Sequence, residues 1–174
     1  MDMTGSRIIA ADRDTVWQAL LDPEVLKACV PGCQELTGTV EGGFSAVVVQ
    51  KVGPVKATFQ GEVTFPAMTA PDSLTLNGEG KGGAAGFAKG NADVRLSDVP
   101  EGTRLDYDVE AKVGGKLAQL GSRIIDGFAR KMADQFFDRF REAVEGPGAP
   151  GPETAEAQET APKKKGWLKR IVAS

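Results

Sequence analysis

The feature that most constrains the fold is one long amphipathic stretch, Lys116–Val144. Its apolar residues recur at steps of three or four, which is the spacing of one face of an α-helix. They are Leu117, Leu120, Ile124, Phe128, Met132, Phe136, Phe140 and Val144, with Ile125, Ala129, Ala133 and Phe137 widening the face. Gly146 and Pro147 predict where this helix ends. A helix of about 42 Å with a continuous apolar face needs a large partner surface.

Short elements come before the long helix. Ser6–Ala11 is short and apolar, which predicts a first strand. Asp12 can cap a following helix, and Asp22 with Pro23 predicts the start of a second one, because Asp is a favoured N-cap and proline suits the first helical position. The second helix would end at the turn formed by residues 30–32. The apolar residues of the two helices are Val16, Trp17, Leu20, Leu21, Val25, Leu26 and Cys29.

Beyond Leu36 the apolar period changes to two, which is typical of β-strands. The predicted inward-facing residues are Ala57, Phe59, Gly61, Val63 and Phe65; Leu74, Leu76, Gly78 and Gly80; Gly90, Ala92, Val94 and Leu96; and Leu105, Tyr107, Val109, Ala111 and Val113. Turns are predicted at Gly42–Gly43, Gly53–Pro54, Ala70–Asp72, Gly82–Gly86 and Pro100–Gly102. The fold class is therefore α+β, with six antiparallel strands after the short helices and an apolar sheet face that covers the long helix.

Glycines occupy several inward positions where a dense core would hold Val or Leu. Gly61, Gly78, Gly80 and Gly90 lie on the predicted inner face of the sheet, and Gly121 lies on the apolar face of the predicted helix. A glycine inside a helix costs about 1 kcal/mol relative to alanine, so its presence needs a reason. Two explanations stay open. The glycines either allow bulges and close packing of helix on sheet, or keep open an apolar cavity for a ligand.

Composition limits the chemistry. The chain of 174 residues is 41% hydrophobic and has no histidine, so the commonest general base and metal ligand is missing. Cys29 and Cys33 lie four apart without further ligands nearby, so no metal site is expected. A secretory signal and an apolar run of about 18 residues are both missing from the sequence, so neither secretion nor a membrane-spanning helix is expected. A cytosolic setting argues against a structural disulfide.

Some polar and small residues have more than one interpretation. The segment Gly78–Gly83 matches G-x-G-x-x-G but lies between two strands, so a hairpin tip that acts as a lid or docking loop is favoured over a dinucleotide site. The row Asp106, Asp108 and Glu110 is either a solvated face or a contact surface for a basic partner. The inward Tyr107 could donate its hydroxyl to a ligand carbonyl or to the backbone.

Five short motifs carry a resemblance to a known family. They are Asp22–Leu26 (DPEVL), Cys29–Cys33 (CVPGC), Gly53–Val55 (GPV), Gly78–Gly83 (GEGKGG) and Gly115–Arg123 (GKLAQLGSR). With the order of elements, they make residues 4–145 resemble the CoxG family of carbon monoxide dehydrogenase subunits. That resemblance implies the helix-grip fold of the START/SRPBCC superfamily, a curved antiparallel sheet around a long C-terminal helix.

The same resemblance implies a function that the fold alone would not. It implies a non-catalytic adaptor that holds a molybdenum-containing CO dehydrogenase at the cytoplasmic face of the cell membrane. It also implies a respiratory quinone, menaquinone or ubiquinone, in the apolar cavity, which would couple CO oxidation to the respiratory chain by electron transfer. The candidate ligand-binding residues are Phe59, Val63, Leu76, Gly78, Tyr107, Leu117, Leu120, Gly121, Ile124 and Phe128.

The CVPGC motif has its own alternatives. Its two thiols could be redox active, or they could be small buried side chains beside a rigid turn. In the second case the segment borders the entrance of the cavity and is a candidate contact for partner proteins. Its residues are Cys29, Val30, Pro31, Gly32 and Cys33.

The charge is distributed unevenly between the predicted ligand-binding domain, residues 1–145, and the rest of the chain. Residues 1–145 carry 16 Lys and Arg against 21 Asp and Glu, a net charge of −5, whereas residues 146–174 carry 5 against 3, a net charge of +2. An acidic domain argues against a nucleic-acid partner. Residues 146–162 contain no Leu, Ile, Val or aromatic residue, which predicts a disordered linker.

Residues 163–174 are predicted to form a basic amphipathic tail that binds membrane lipids peripherally. The predicted membrane-binding residues are Lys163, Lys164, Lys165, Trp167, Leu168, Lys169, Arg170, Ile171 and Val172. A solubilising tail or a partner-docking peptide stays open as an alternative. Two other interpretations of the whole chain also stay open. A cytosolic cyclase or hydrolase would need polar groups inside the cavity, and a ligand-free scaffold would need a filled core.

Overall fold

The computed structural model describes residues 1–146. Its elements follow the predicted order of one strand, two short helices, six strands and one long helix. They are β1 (Asp2–Ile9), α1 (Arg13–Leu20), α2 (Pro23–Cys29), β2 (Cys33–Thr39), β3 (Gly43–Val52), β4 (Val55–Thr69), β5 (Ser73–Lys81), β6 (Phe87–Val99), β7 (Gly102–Gly114) and α3 (Ser122–Glu145). Single 3₁₀ segments lie at Gly83–Ala85 and Gly115–Leu120.

All seven strands form one curved antiparallel sheet in the order β1-β7-β6-β5-β4-β3-β2. The predicted alternation is confirmed, because inward positions of β4 and β6 are less exposed than their neighbours throughout most of each strand. The register brings small residues side by side: Gly61 lies opposite Gly80, and Gly78 lies opposite Gly90. The α+β fold class, with a helix covering one face of the sheet, is therefore confirmed.

The predicted starts of both short helices are confirmed by their caps. The Asp12 carboxylate accepts a hydrogen bond from the Thr15 N–H at 3.0 Å, and that of Asp22 accepts one from the Glu24 N–H at 2.9 Å. Hydrogen bonds from Thr15 also lower the pKa of Asp12. Local side-chain chemistry was enough to predict both positions, since an N-cap involves only residues two or three apart.

The first strand was predicted too late and too short. It runs over Asp2–Ile9 rather than Ser6–Ala11, because β7 pairs with it from Glu110 to Thr103. Before Ser6 only Met1 and Met3 are apolar, and their alternation with Asp2 and Thr4 is too short to identify a strand. Pairing with a distant strand extends this element, and that pairing is not visible locally.

The long helix begins six residues later than predicted. Gly115 and Gly121 adopt φ values of +75° and +90°, which an α-helix cannot contain, so the segment between them forms a separate 3₁₀ turn. Gly121 is therefore the residue before α3 and does not lie on its apolar face. The predicted end is confirmed, because the Gly146 N–H bonds to the Glu142 carbonyl at 2.9 Å with φ at +89°.

The core lies at the end of the sheet where α3 terminates. Phe137 and Phe140 are its anchors on the helix, with 8% and 0% of their surface exposed. Phe140 stacks on Phe136 at 5.7 Å between ring centroids. The other buried residues of this cluster are Ile9, Val16, Trp17, Cys29, Leu74, Leu96, Leu105 and Tyr107. We call this region the packed end, and it includes the turns at residues 10–14, 69–73 and 97–103.

Candidate ligand-binding cavity

Two apolar chambers lie between the sheet and α3. The smaller has a volume of about 290 Å³ and the larger about 460 Å³. They adjoin, because both are lined by Met3, Val30, Val109, Ala133 and Phe136. Both volumes fall near the range of small-molecule sites, about 300–1,000 Å³.

The walls of the chambers are almost wholly apolar. Their lining includes no Asp, Glu, Lys or Arg, and the polar side chains in it are Gln50 and Tyr107. The Gln50 side-chain amide donates a hydrogen bond to the Pro31 carbonyl, which holds its side chain in place. An amide carries two N–H groups, so one remains for a ligand carbonyl. The cavity can therefore bind an apolar molecule with one or two acceptors, and it offers little for acid–base chemistry.

A gradient of side-chain size explains where the larger chamber lies. Inward residues of β6 shrink from Leu96 and Val94 to Ala92, Gly90 and Ala88 on passing from the packed end to the other end of the strand. The neighbouring strand β5 runs in the opposite direction and shrinks toward that same end, from Leu74 and Leu76 to Gly78 and Gly80. Since the inner wall thins on adjacent strands at one end, the helix and the sheet leave a gap there.

The inward glycines divide between the two explanations that the sequence left open. A Cβ atom built at Gly61, Gly78 or Gly80 would meet nothing closer than 3.6 Å, and the atoms it would meet belong to the sheet. At Gly90 a Cβ would collide with the Glu110 carbonyl of β7. A side chain would therefore fit at these three positions, of which Gly80 lines the larger chamber, whereas Gly90 permits close approach of two strands.

Tyr107 closes the packed side of the smaller chamber. Its ring stacks on Phe137 at 5.3 Å between centroids, and the Arg7 guanidinium lies 5.1 Å from the Phe137 ring and 2.7 Å from the Asp134 carboxylate. The Tyr107 hydroxyl lies over Gly5 on β1. Within residues 1–146 this hydroxyl makes no hydrogen bond, so the structure shows neither of the partners that the sequence suggested for it.

Six of the ten predicted ligand residues line the chambers. Val63, Leu76 and Tyr107 line the smaller one, and Phe59, Leu117 and Phe128 line the larger one. The structure therefore brings residues of several elements together around one space. Whether they bind a ligand stays a prediction.

The other four predicted residues lie elsewhere. The Gly78 backbone borders a polar groove on the outer face of the sheet. Leu120 and Ile124 lie against the β3–β4 turn at Gly53, and 40% of the Ile124 surface is exposed. Gly121 is exposed before α3. Leu120, Gly121 and Ile124 lie outside the chambers for one reason. Their prediction places the start of the helix at Lys116, whereas the break at Gly121 changes the direction of the chain before α3.

Only part of the CVPGC segment, Cys29–Cys33, lines the cavity. Val30 and Pro31 line the larger chamber, whereas Gly32 turns the chain with φ at +78°. Cys29 is buried, Cys33 is half-buried, and both thiols are free. Burial raises the pKa of each thiol, which lowers the fraction of reactive thiolate. These features favour small packed side chains over a redox pair, and partner docking at this segment stays a prediction.

The other polar features are structural or lie outside the described residues. Asp106 pairs with Arg104 at 3.1 Å and Asp108 pairs with Arg95 at 3.0 Å, so two members of the acidic row are engaged within the sheet. Gly78–Gly83 joins the end of β5 to a 3₁₀ turn, with no α-helix behind it. The predicted linker beyond Gly146 and the basic tail at residues 163–174 lie outside the described residues.

Several lining residues are not predicted by the sequence pattern. Gln50 is the most informative, because it shares its inward register with Phe44, Ala46, Val48 and Val52. A polar residue in an apolar alternating series is a signal that could have identified it. Met132 and Phe136 were assigned to the helix face but not to the cavity. Met3 could not have been found, since its strand was predicted to begin after it.

Two further classes of site are missing from residues 1–146. This part of the chain contains no group of three or more His, Cys, Asp or Glu side chains that could hold a metal ion. None of its helices is long and apolar enough to cross a membrane.

Fold and cavity together define a helix-grip protein whose sheet and C-terminal helix enclose an apolar cavity. The chain belongs to the CoxG family of carbon monoxide dehydrogenase subunits, which it matches over residues 5–145. Membership of this family suggests an accessory role associated with CO dehydrogenase.

Solved structures share this fold. A conserved protein from Geobacillus kaustophilus is 27% identical, with a TM-score of 0.77 over 83% of this chain and 95% of its own. Proteins from Chromobacterium violaceum and Mycobacterium smegmatis are each 16% identical, with TM-scores of 0.62 and 0.60. The first covers 83% of this chain and 98% of its own, and the second 82% and 90%. A comparison with curated proteins found no match.

Proposed function

We propose that this chain is a non-catalytic accessory protein that recruits a molybdenum CO dehydrogenase to the cytoplasmic membrane and holds a respiratory quinone in its cavity. Membership of the CoxG family supports the association with CO dehydrogenase. One observation of the structure carries the ligand proposal: two adjoining chambers of about 290 and 460 Å³ have no charged side chain in their walls.

The residues present suit a quinone. Apolar side chains from the sheet and α3 match an isoprenoid chain and an aromatic ring, and burial of such surface contributes about 25 cal/mol per Å². The free N–H of the Gln50 amide can donate to one ring carbonyl, which would orient the head group in the larger chamber. A bound quinone would accept two electrons and two protons. The protein itself supplies position, exclusion of water and an apolar surrounding.

Membrane recruitment rests on the sequence of residues 163–174. Five Lys or Arg residues surround Trp167, Leu168, Ile171 and Val172. Each cation contributes about 1 kcal/mol near an anionic leaflet. Ordering of a short segment offsets part of this, because helices of two turns do not form alone. The binding should be reversible and salt-sensitive, and several chains on one enzyme assembly would strengthen it.

Analysis of lipid extracts from the purified full chain tests the ligand. We expect quinone to co-purify in the absence of the enzyme, and native mass spectrometry should release it at elevated collision energy. The variant Gly80→Leu would fill the larger chamber, since its added side chain starts in open space. The control Gly127→Leu makes the same change on the exposed side of α3. Equal quinone content in both variants would contradict the cavity as the binding site.

Deletion of residues 163–174 tests recruitment. The shortened chain should remain folded and keep its quinone after extraction, but it should sediment far less with anionic vesicles. CO dehydrogenase mixed with vesicles should then stay in the supernatant unless the complete chain is added. Undiminished sedimentation of the shortened chain would show that the tail does not supply the membrane affinity.

A further inference from the structure

Three segments that are distant in sequence meet at the end of the molecule opposite the packed end. They are residues 51–56 at the β3–β4 turn, residues 81–87 at the β5–β6 connection, and residues 114–124 between β7 and α3. Leu120 and Ile124 lie against Gly53, and the Phe87 ring lies over Gly114. We call this surface the hollow end, because Val52 and Leu117 of these segments line the larger chamber.

The hollow end carries charge of one sign. Its three segments contain Lys51, Lys56, Lys81, Lys116 and Arg123 and no Asp or Glu. All five basic side chains are exposed, and none of them forms an ion pair with another residue of 1–146. Unpaired cations that share one surface attract an anionic partner, and each remains free to contact it.

Apolar side chains project from the same surface. Three large apolar residues are exposed in the described part of the chain, and two of them, Phe87 at 43% and Ile124 at 40%, belong to the hollow end. The same segments also contain small residues such as Gly83, Ala84 and Ala118, so Phe87 and Ile124 are their most prominent exposed apolar side chains. An exposed aromatic and an exposed aliphatic side chain on segments that also carry five exposed cations are the combination that suits a membrane interface.

The packed end has the opposite charge. Its turns at residues 10–14, 69–73 and 97–103 contain five acidic residues and one basic residue. The acidic residues are Asp12, Asp14, Asp72, Asp98 and Glu101. The basic residue is Arg13, which pairs with Asp72 and Asp98 and so joins the three turns. The two ends of the domain therefore carry opposite charge. An anionic bilayer would orient the domain with its positively charged hollow end toward the membrane.

We propose that the hollow end of the folded domain is a second membrane-contact surface, separate from the tail, which lies on anionic lipid headgroups with Phe87 and Ile124 inserted between them. In this orientation the larger chamber faces the bilayer, which shortens the path of an apolar ligand between bilayer and chamber. This inference deepens the proposed function, on whose membrane recruitment it rests.

The orientation constrains the rest of the chain. The Glu145 carboxylate accepts a hydrogen bond from the Ala10 N–H at 2.8 Å, so the chain leaves α3 at the packed end, away from the bilayer. The path back along the domain is about 36 Å, the length of α3. Residues 146–162 can span at most about 60 Å, so tail and hollow end can touch one bilayer together.

Hydrogen–deuterium exchange on the full natural chain tests this orientation. With vesicles that contain phosphatidylglycerol, we expect slower exchange at residues 82–87 and 114–124 and no change at residues 69–73 and 97–103. Vesicles of phosphatidylcholine alone should protect neither region. Sedimentation of the chain with anionic vesicles but without protection at the hollow end would overturn the inference and leave the tail proposal standing.

Matched variants of the full chain supply a second measurement. Replacement of Lys51, Lys56 and Lys116 by Gln should weaken vesicle binding by up to about 100-fold at low salt, at about fivefold for each cation removed. The control replaces Lys27, Arg130 and Lys131 by Gln, which removes the same charge from other surfaces. Equal affinities of the two triple variants would contradict the inference.

A third pair of variants tests the apolar part of the contact. Phe87→Ser should weaken vesicle binding by about tenfold, whereas Met68→Ser, at an equally exposed residue near the packed end, should not. If a chain with its tail lysines changed to Gln binds anionic vesicles as tightly as the unchanged chain and keeps protection at the hollow end, the tail proposal fails and this inference stands.

Discussion

The two halves of α3 carry the same pattern of apolar residues but differ in what covers them. In the C-terminal half Phe140 is 0% exposed and Phe137 is 8% exposed. In the N-terminal half Phe128 lines an open chamber and 40% of Ile124 is exposed. Apolar spacing therefore predicts which face of a helix turns toward the sheet, but it does not show whether side chains fill the space between them.

The difference comes from the layers opposite the helix. At the packed end, α1 and α2 add Trp17 and Cys29 to large strand residues such as Leu105. At the hollow end the opposing positions are Gly80, Ala88 and Ala111. The large buried side chains are thus concentrated in one half of the domain, and the other half contains open apolar space.

Truncation of one aromatic residue in each half should produce the largest contrast. Phe140→Ala removes a fully buried ring and should lower the free energy of unfolding by about 3–5 kcal/mol. Phe128→Ala enlarges an existing chamber and should lower it by about 1–2 kcal/mol, because the ring is only partly buried. Urea denaturation of the ligand-free chains measures both. Similar losses in the two variants would mean that the hollow half is packed in solution.

Replacement of glycine by alanine on β5 or on β6 should change the free energy of unfolding in opposite directions. Gly90→Ala directs its Cβ against the Glu110 carbonyl and should lower the free energy of unfolding by about 1–3 kcal/mol. Gly80→Ala finds its nearest neighbour at 4.0 Å and should raise it by about 0.5–1 kcal/mol, since alanine has less backbone freedom in the unfolded chain. Thermal unfolding of both variants should show shifts of opposite sign. A loss at Gly80 would argue against open space there.

Tyr107 lies at the boundary between the halves and tests how polar that boundary is. Its hydroxyl makes no hydrogen bond within residues 1–146, so Tyr107→Phe should change the free energy of unfolding by less than about 0.5 kcal/mol. Quinone content should also be unchanged. A clear loss of quinone with unchanged stability would instead identify the hydroxyl as a ligand donor, which was one of the two roles considered for it.

The two cysteines should give the smallest effect, through the pH dependence of their reactivity. Burial raises the pKa of both thiols, so the folded chain keeps them protonated to higher pH than the unfolded chain does. Their contribution to stability is therefore intact at neutral pH and is lost as the pH rises through the folded pKa values. Alkylation by iodoacetamide should be slow at neutral pH, faster at alkaline pH, and faster at Cys33 than at the fully buried Cys29. Rapid alkylation of both at neutral pH would contradict this.

Local chemistry explains which parts of the fold were predictable. The caps at Asp12 and Asp22, the end of α3 at Gly146 and the alternation of β4 depend on residues a few positions apart, so the sequence alone was enough. The start of β1 was not predictable, because it depends on pairing with β7, about one hundred residues away. The start of α3 was missed for another reason: the left-handed conformation of Gly121 interrupts an otherwise regular apolar pattern.

The candidate site likewise has features that the sequence predicts and features that only tertiary contacts decide. The sequence by itself determined that the chain builds an α+β sheet-and-helix domain with few polar groups facing inward, because side-chain periodicity and glycine placement are properties of the chain. Only the tertiary structure decided which glycines border open space, that Gln50 faces the larger chamber, and that five cations meet Phe87 and Ile124 at one end. The physical reason is that these properties belong to contacts between strands and loops, and the folded backbone alone brings such distant residues together.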